Sequence, residues 1–299
     1  MKNIIVITGG AGFVGSNLIE YFLNKTRFQI ISLDNYSSGT SKNHIKNRRV
    51  KYLKSETVKI ATVLDKYKLK INAVFHFGEF ARIYQSFLKF NECFQSNSIG
   101  SNAVFRFCLE NKIKLLYSAT SATFGNKGKD KNLSPYAFLK YKNLELLENL
   151  KKWFNFKYEV IYFYNVYGPK QICRGDMATV VGIFEDHYLR NKKLPVVKPG
   201  TQSRKFTHIQ DTIKICFEAW KLNKNKHYSI SSKKSYSIIQ LAKMFRSKFT
   251  YVTKRRGERY TSALNSMNLD NKIHKRFGQT SLKIYVKKFL EKHHFTRKH

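Results

Sequence analysis

The chain has 299 residues, of which 42% are apolar, enough to bury the core of a protein of about two domains. Its formal net charge is +37, from 56 Lys and Arg against 19 Asp and Glu. The apolar runs are too short to cross a bilayer and the first residues do not read as a secretory leader, so we expect a cytoplasmic protein without a membrane span.

The excess of cations is spread over both halves of the chain, which is also rich in Asn, Ile, Phe and Tyr. This distribution favours solvated surface lysines over a nucleic-acid interface, although it would also attract an anionic substrate. The cysteines are far apart in sequence and match neither a zinc site nor a disulfide framework. We expect reduced thiols, no metal and no nucleic-acid partner. The cysteines are Cys93, Cys108, Cys173 and Cys216.

The first half of the chain alternates between strand and helix patterns. A short β-branched run at 3–8 is followed by a glycine stretch and then by apolar residues at helical spacing. This alternation predicts an α/β fold of the Rossmann type, with a doubly wound parallel sheet. Further strands are predicted at 29–34, 72–78 and 113–120, and helical stretches near 57–68 and 91–111.

The pattern loosens in the second half. Residues 158–169 predict one more strand that runs into a loop, and the following segments mix short strands and helices. We predict a Rossmann domain for cofactor binding over 1–165 and a smaller α/β substrate domain over 166–299. Part of the second segment, about 204–222, is expected to pack back on the first domain.

The segment TGGAGFVG places Gly9, Gly12 and Gly15 at three-residue intervals between a strand and a helix. Glycines at these positions allow a tight turn and let the backbone and the helix N-terminus approach a pyrophosphate. Asp34 ends the next strand, where a carboxylate accepts hydrogen bonds from an adenosine ribose and repels a 2′-phosphate. The segment therefore predicts a dinucleotide site that prefers NAD to NADP.

The segment SPYAFLK at 134–140 places Tyr136 and Lys140 four positions apart, directly after a proline. Pro135 suits the first turn of a helix, and Ser134 can cap it. Residues four apart on a helix project from one face, so the ammonium would lie beneath the phenol and lower its pKa. The pair is a candidate acid/base device.

With TGxxGxxG, LDNYSSG and YxxxK in this order, the chain resembles the extended short-chain dehydrogenase/reductase family, specifically its NAD-dependent nucleotide-sugar epimerase and dehydratase branch. The resemblance extends from the first strand to about residue 260. It implies a catalytic hydroxyl after the fourth core strand. Counting back from Gly125 in YSATSATFG gives Thr120, with Ser121 as the alternative.

The resemblance also implies the roles of the site residues. Tyr136 takes the proton of a sugar hydroxyl while hydride leaves for NAD, Thr120 hydrogen-bonds the same oxygen, and Lys140 holds the nicotinamide ribose. The implied cofactor contacts are Gly9, Gly12, Phe13, Val14, Gly15, Asp34, Asn35, Tyr136 and Lys140. The implied substrate contacts are Thr120, Asn165, Arg204, Arg255 and, as a candidate, Glu79.

Several positions depart from the family pattern. Relatives that dehydrate the sugar carry Asp and Glu after the catalytic threonine, whereas this chain has Ser121 and Ala122, which disfavours a 4,6-dehydratase. Glu79 stands where relatives have a small residue. It is a candidate extra base or sugar contact, and the favoured alternative is a structural carboxylate paired with Arg82.

We expect an NAD-dependent nucleotide-sugar 4-epimerase. The alternative is a 4-dehydrogenase that releases the 4-keto sugar, and HFGEFARI with the short loop before Tyr136 resembles a subgroup that handles GDP-heptoses. A lesser alternative is an inactive member of the fold that binds RNA or a protein partner. Helices near 91–111 and 136–153 resemble those of a four-helix dimer interface, so a homodimer is expected.

Overall fold

The computed structural model describes residues 2–232, 234–257 and 278–293. Its centre is a seven-stranded parallel sheet in the order β3, β2, β1, β4, β5, β6, β11. The strand order reverses direction between β1 and β4, as in a doubly wound sheet. The strands are β1 (Ile4–Thr8), β2 (Gln29–Asp34), β3 (Val50–Lys54), β4 (Ile71–His76), β5 (Lys114–Thr120), β6 (Tyr158–Phe163) and β11 (His227–Ser229).

Helices cover both faces of this sheet, and others form a second lobe. The described helices are α1 (Phe13–Lys25), α2 (Ile60–Leu64), α3 (Gln85–Leu88), α4 (Phe90–Phe94), α5 (Ser101–Glu110), α6 (Pro135–Phe154), α7 (Val180–Leu189), α8 (Ile209–Leu222), α9 (Ile238–Met244) and α10 (Leu282–Lys292). The chain also forms 3₁₀ segments at Ser41–Asn43, Thr57–Lys59, Asp65–Lys70 and Ser121–Asn132, and a π-helical turn at Gln95–Gly100.

Strand β1 shows why the sequence forms a sheet covered on both sides. All five of its residues are buried, and their side chains alternate between two cores. Ile4 and Val6 face the core that α5 and α6 complete, while Ile5 and Ile7 face the core that α1 and α8 complete. An uninterrupted apolar run is therefore needed, because neither face of the strand reaches water.

The second lobe is built on a separate core. Tyr167, Phe184, Phe206 and Phe245 are fully buried there, and α10 closes it through Leu282. The chain returns to the first sheet in between, since α8 packs on α1 and β11 pairs with β6. The lobe's two-stranded sheets pair β7 (Val166–Tyr167) with β10 (Thr207–His208), β8 (Leu194–Val197) with β13 (Phe249–Val252), and β9 (Ser203–Lys205) with β12 (Ser235–Ser237).

No helix in the described parts of the chain combines the length and apolar character needed to cross a membrane. The thiols of all four cysteines are free, and three of them are buried.

Candidate functional site

The glycine segment between β1 and α1 is packed too closely for side chains. Gly9 has a φ of 70°, and a Cβ there would lie 2.8 Å from the backbone of residues 77 and 78. A Cβ on Gly15 would overlap the carbonyl oxygen of Gly9. Gly12 caps α1 without a side-chain hydrogen bond, which leaves the first N–H groups of the helix available to an anion.

Asp34 holds this segment in place. Its Oδ2 accepts a hydrogen bond from the N–H of Ala11 at 2.9 Å, and its Oδ1 accepts one from the N–H of Tyr36 at 2.8 Å. Burial raises the pKa of Asp34, and these two backbone hydrogen bonds oppose that rise. A carboxylate has acceptor positions beyond these two hydrogen bonds, so ribose hydroxyls can still donate to Asp34.

A cleft of about 690 Å³ lies where the carboxyl ends of β1 and β4 diverge. It joins the glycine segment to the N-terminal end of α6, and its lining combines apolar surface with a few polar groups, as a dinucleotide site requires. The predicted residues that line it are Gly9, Gly12, Phe13, Val14, Gly15, Asp34, Asn35, Glu79, Tyr136 and Lys140.

Tyr136 is fixed at the start of α6. The helix begins as predicted, with Pro135 in its first turn and Ser134 Oγ accepting a hydrogen bond from the N–H of Ala137 at 3.1 Å. The Thr120 side chain, at the end of β5, lies close enough to the Tyr136 hydroxyl to lower the pKa of the phenol. Thr120 Oγ1 also accepts a hydrogen bond from the N–H of residue 122 at 3.2 Å, so its hydroxyl proton is available to the phenol oxygen.

The environment of Tyr136 differs from the expectation. Burial raises the pKa of its phenol to about 12, the hydrogen bond from Thr120 lowers it, the charge of Glu79 raises it and that of Arg82 lowers it. The prediction that Lys140 lowers this pKa is wrong for this arrangement, because the ammonium of Lys140 contacts other groups.

Lys140 forms an ion pair with Glu79 and also donates a hydrogen bond to the carbonyl oxygen of Ser118. The side chains of Lys140 and Glu79 are only 4% and 2% exposed. Burial lowers the pKa of Lys140, and the charge of Glu79 opposes that shift. The expected pairing of Glu79 with Arg82 is therefore wrong. Arg82 donates instead to the carbonyl oxygens of Ala81 and Met177.

The predicted substrate residues are not all at the cleft. Asn165 donates a hydrogen bond to the carbonyl oxygen of Lys205 at 2.7 Å, and Arg204 lies in β9, where it donates to the carbonyl oxygen of Ser203. Arg255 lies over the ring of Tyr84, 5.8 Å from its centroid. None of these three predicted residues is among the described residues that line the cleft.

Sequence reasoning missed polar residues around the Lys140 pair. Tyr117 donates a hydrogen bond to Glu79 Oε1 at 3.1 Å, and Asn143 Nδ2 donates to the carbonyl oxygen of Asn97 at 2.6 Å. The π-helical turn Gln95–Gly100 places Asn97 next to α6. Strand β4 is apolar but ends at His76, and a polar residue at the end of a buried strand was the sequence signal that could have indicated this polar cluster.

A family model described as the NAD dependent epimerase/dehydratase family matches residues 5–231. This match covers the first sheet except for Ile4, includes the catalytic candidates, and stops short of the end of the second lobe.

Solved structures with the same fold cover nearly the whole chain. The UDP-glucose 4-epimerase of Thermotoga maritima is 24% identical, with a TM-score of 0.86 over 98% of this chain and 99% of that one. The UDP-N-acetylglucosamine 4-epimerase of Methanobrevibacter ruminantium is 23% identical, with a TM-score of 0.83 over 97% of both chains. DesIV of Streptomyces venezuelae, a dTDP-glucose 4,6-dehydratase, is 18% identical, with a TM-score of 0.85 over 99% and 98%. These likenesses confirm the predicted fold.

Proposed function

The chain belongs to the NAD-dependent epimerase/dehydratase family, and on that premise we propose that it is a nucleotide-sugar 4-epimerase. The family match confirms the predicted resemblance and the predicted cofactor, NAD. The observation that carries the proposal is that Tyr136 and Lys140 line the same cleft as the glycine segment, with Thr120 close enough to lower the pKa of Tyr136. The solved 4-epimerases of similar fold support it.

The chain's own residues supply binding and proton transfer. Gly12 and Gly15 let the backbone approach a pyrophosphate, and Asp34 receives ribose hydroxyls. The glycine segment and Asp34 would hold NAD, which would supply reversible hydride transfer at the sugar C4. Tyr136 takes the proton of the C4 hydroxyl and later gives it back, while Thr120 hydrogen-bonds the same oxygen.

Residue 122 supports epimerisation over dehydration. Removing water from a sugar needs an acid and a base beside the catalytic threonine. Ala122 is buried and packs with Phe80 and Tyr136, so a methyl group stands where dehydratases carry a carboxylate. A 4-epimerase needs no such pair, because the same tyrosine removes and returns one proton.

The substrate is proposed to be a nucleotide-diphosphate sugar. Arg82 lines the cleft and lies close enough to Tyr136 for their charges to interact. Arg255 lies over the ring of Tyr84, which is two residues after Arg82 in the chain. One guanidinium group can donate two parallel hydrogen bonds to the oxygens of a diphosphate. Arg204 and Asn165 remain proposed substrate contacts of the second lobe.

We also infer a homodimer from the apolar surface of α4 and α6. These helices pack side by side, and α4 exposes Phe90 and Phe94, whose rings stack 6.0 Å apart. Phe138 of α6 is 42% exposed. Exposed aromatic side chains on adjacent helices are typical of an association surface, and the expected occupant is a second copy of this chain.

Replacing Tyr136 with Phe tests the catalytic assignment. We expect turnover to be lost and NAD binding to stay, because the phenol oxygen is removed while the ring still packs against Phe80 and Ala137. Tyr141→Phe is the matched control, since this half-buried tyrosine of the same helix bonds to Lys131. Turnover would be followed by product analysis and NAD binding by calorimetry. A Tyr136→Phe enzyme that turns over normally would refute the assignment.

Mass spectrometry of the product separates the 4-epimerase from the 4-dehydrogenase alternative. The purified protein would be incubated with UDP-, GDP-, dTDP- and CDP-sugars, including GDP-heptoses. An epimerase yields an isomer of unchanged mass with no net reduction of NAD. Loss of two hydrogens together with formation of NADH would identify a dehydrogenase instead.

A further inference from the structure

Protein side chains bind both oxygens of the Glu79 carboxylate. Its Oε2 contacts the ammonium of Lys140, and its Oε1 accepts hydrogen bonds from Ser101 at 2.8 Å and Tyr117 at 3.1 Å. The side chain is 2% exposed although the residue lies at the cleft. A buried carboxylate with this many partners is held in one position, so its effect must pass through the groups it contacts.

A chain of hydrogen bonds ends at Glu79, and in each of them the proton is donated towards Glu79. Thr8 Oγ1 accepts from the N–H groups of 77–78 and lies 2.7 Å from His76 Nδ1, so its proton points at that nitrogen. The other ring nitrogen of His76 then donates to Ser101 Oγ at 3.0 Å, and Ser101 donates to Glu79. Burial lowers the pKa of His76 to about 4, which keeps the ring neutral in this chain of donors.

The same contacts fix Lys140. Its ammonium is held between the Glu79 carboxylate and the carbonyl oxygen of Ser118, and it lies 4.6 Å from the centroid of the Tyr117 ring. We propose that Glu79 is a positioning residue that fixes Lys140 and neutralises its charge, so that Tyr136 faces a paired cation instead of a free one. This inference rests on the proposed function, because it concerns the same Tyr136 and Lys140.

The groups that act on Tyr136 come from several elements. The loop after β4 brings Glu79 and Arg82, α4 brings Cys93, and β5 brings Thr120. Burial raises the pKa of the Cys93 thiol to about 12, so it carries no charge at ordinary pH. Glu79 is therefore the negative charge that opposes ionisation of Tyr136 within the described part of the chain, and removing it should favour the phenolate.

Glu79→Gln tests the proposal directly, since glutamine keeps the size and the acceptor oxygen but loses the charge. Tyrosine labelled with ¹³C at Cζ reports ionisation by NMR, and Tyr136→Phe assigns the resonance. With the NAD-loaded full chain, we expect the Tyr136 midpoint to fall by about one pH unit in Glu79→Gln. As the pH is raised, the Tyr136 resonance should therefore move at a lower pH in the variant than in the wild type.

Glu79→Asp is the conservative control, because it keeps the charge, and its Tyr136 midpoint should stay with the wild type. The proposal is overturned if the Gln and Asp variants behave alike, whether both shift or neither does. Glu79→Gln leaves the buried Lys140 unpaired, so a second comparison removes that charge as well. Glu79→Gln/Lys140→Gln is compared with Lys140→Gln, and equal midpoints in these two variants also overturn the proposal.

The titration needs no sugar turnover, so it separates this inference from the proposed function. A chain without activity on any nucleotide sugar that still shows the Glu79→Gln shift would refute the function alone. If the protein is an active 4-epimerase but its Tyr136 ionisation midpoint is the same in Glu79→Gln and the wild type, the positioning role alone is refuted.

Discussion

At the scale of single residues, the choice between Thr120 and Ser121 depends on which side chain acts on Tyr136. Both side chains are buried, and Thr120 lowers the pKa of the Tyr136 phenol. Thr120 is the last residue of β5, whereas Ser121 begins the 3₁₀ segment Ser121–Asn132, so different elements hold the two side chains. Thr120 is therefore the residue we expect to touch the sugar oxygen.

Thr120→Val should lower kcat by about 100-fold, the usual effect of removing one hydrogen-bond donor to a reacting oxygen. Ser121→Ala is the matched control and should leave kcat close to wild type. The measurement is steady-state turnover with the substrate found in the sugar panel, with circular dichroism melting to confirm folding. Equal losses in both variants, or a larger loss in Ser121→Ala, would contradict the assignment.

At the scale of elements, the turn from β1 to α1 uses its glycines for different purposes. Gly15 lets the helix approach the turn, since a Cβ there would overlap the Gly9 carbonyl. At Gly12 an added Cβ would meet only that carbonyl oxygen, at 3.2 Å. The two positions therefore separate packing of the helix from access of a ligand to the backbone.

Gly15→Ala should lower the free energy of unfolding by about 2 kcal/mol, the typical effect of overpacking, and weaken NAD binding as well. Gly12→Ala should leave stability near wild type and weaken NAD binding, because a methyl group would stand where the pyrophosphate approaches. Urea denaturation and calorimetric titration with NAD measure the two effects. A Gly12→Ala protein that binds NAD normally would place the pyrophosphate elsewhere.

At the scale of the whole molecule, the net charge of +37 and the apolar face of α4 and α6 make opposite demands on association. Like charge disfavours self-association over long distances, whereas burial of aromatic surface favours it at contact. Salt should therefore strengthen a dimer formed through this face, because it screens the repulsion and leaves the apolar contact unchanged.

Light scattering should give twice the chain mass of 35.1 kDa, and Phe94→Asp/Phe138→Asp should give a monomer. A buried carboxylate without a partner is unfavourable in an apolar interface. Leu69→Asp is the control, since Leu69 is 82% exposed on a different element and its replacement should not change the mass. A wild-type monomer at micromolar concentration, in low and high salt, would rule out the inferred homodimer.

The features that follow from local spacing were predictable from the sequence. The glycine segment, the strand ending at Asp34 and the pair Tyr136 and Lys140 each lie within one short stretch, so their geometry follows from the turn or helix that contains them. The parallel sheet was also predictable, because strands buried on both faces leave uninterrupted apolar runs.

Which charged side chains pair with each other depends on the tertiary structure. Glu79 and Lys140 are 61 positions apart in the chain, and the nearer Arg82 was the more obvious partner in sequence. The packing of α6 against the ends of β4 and β5 brings Lys140 to Glu79 and Ser118, and buried charges must pair with whatever the fold places in reach. The charge environment of Tyr136 is consequently a property of the assembled sheet and helix, which no single segment contains.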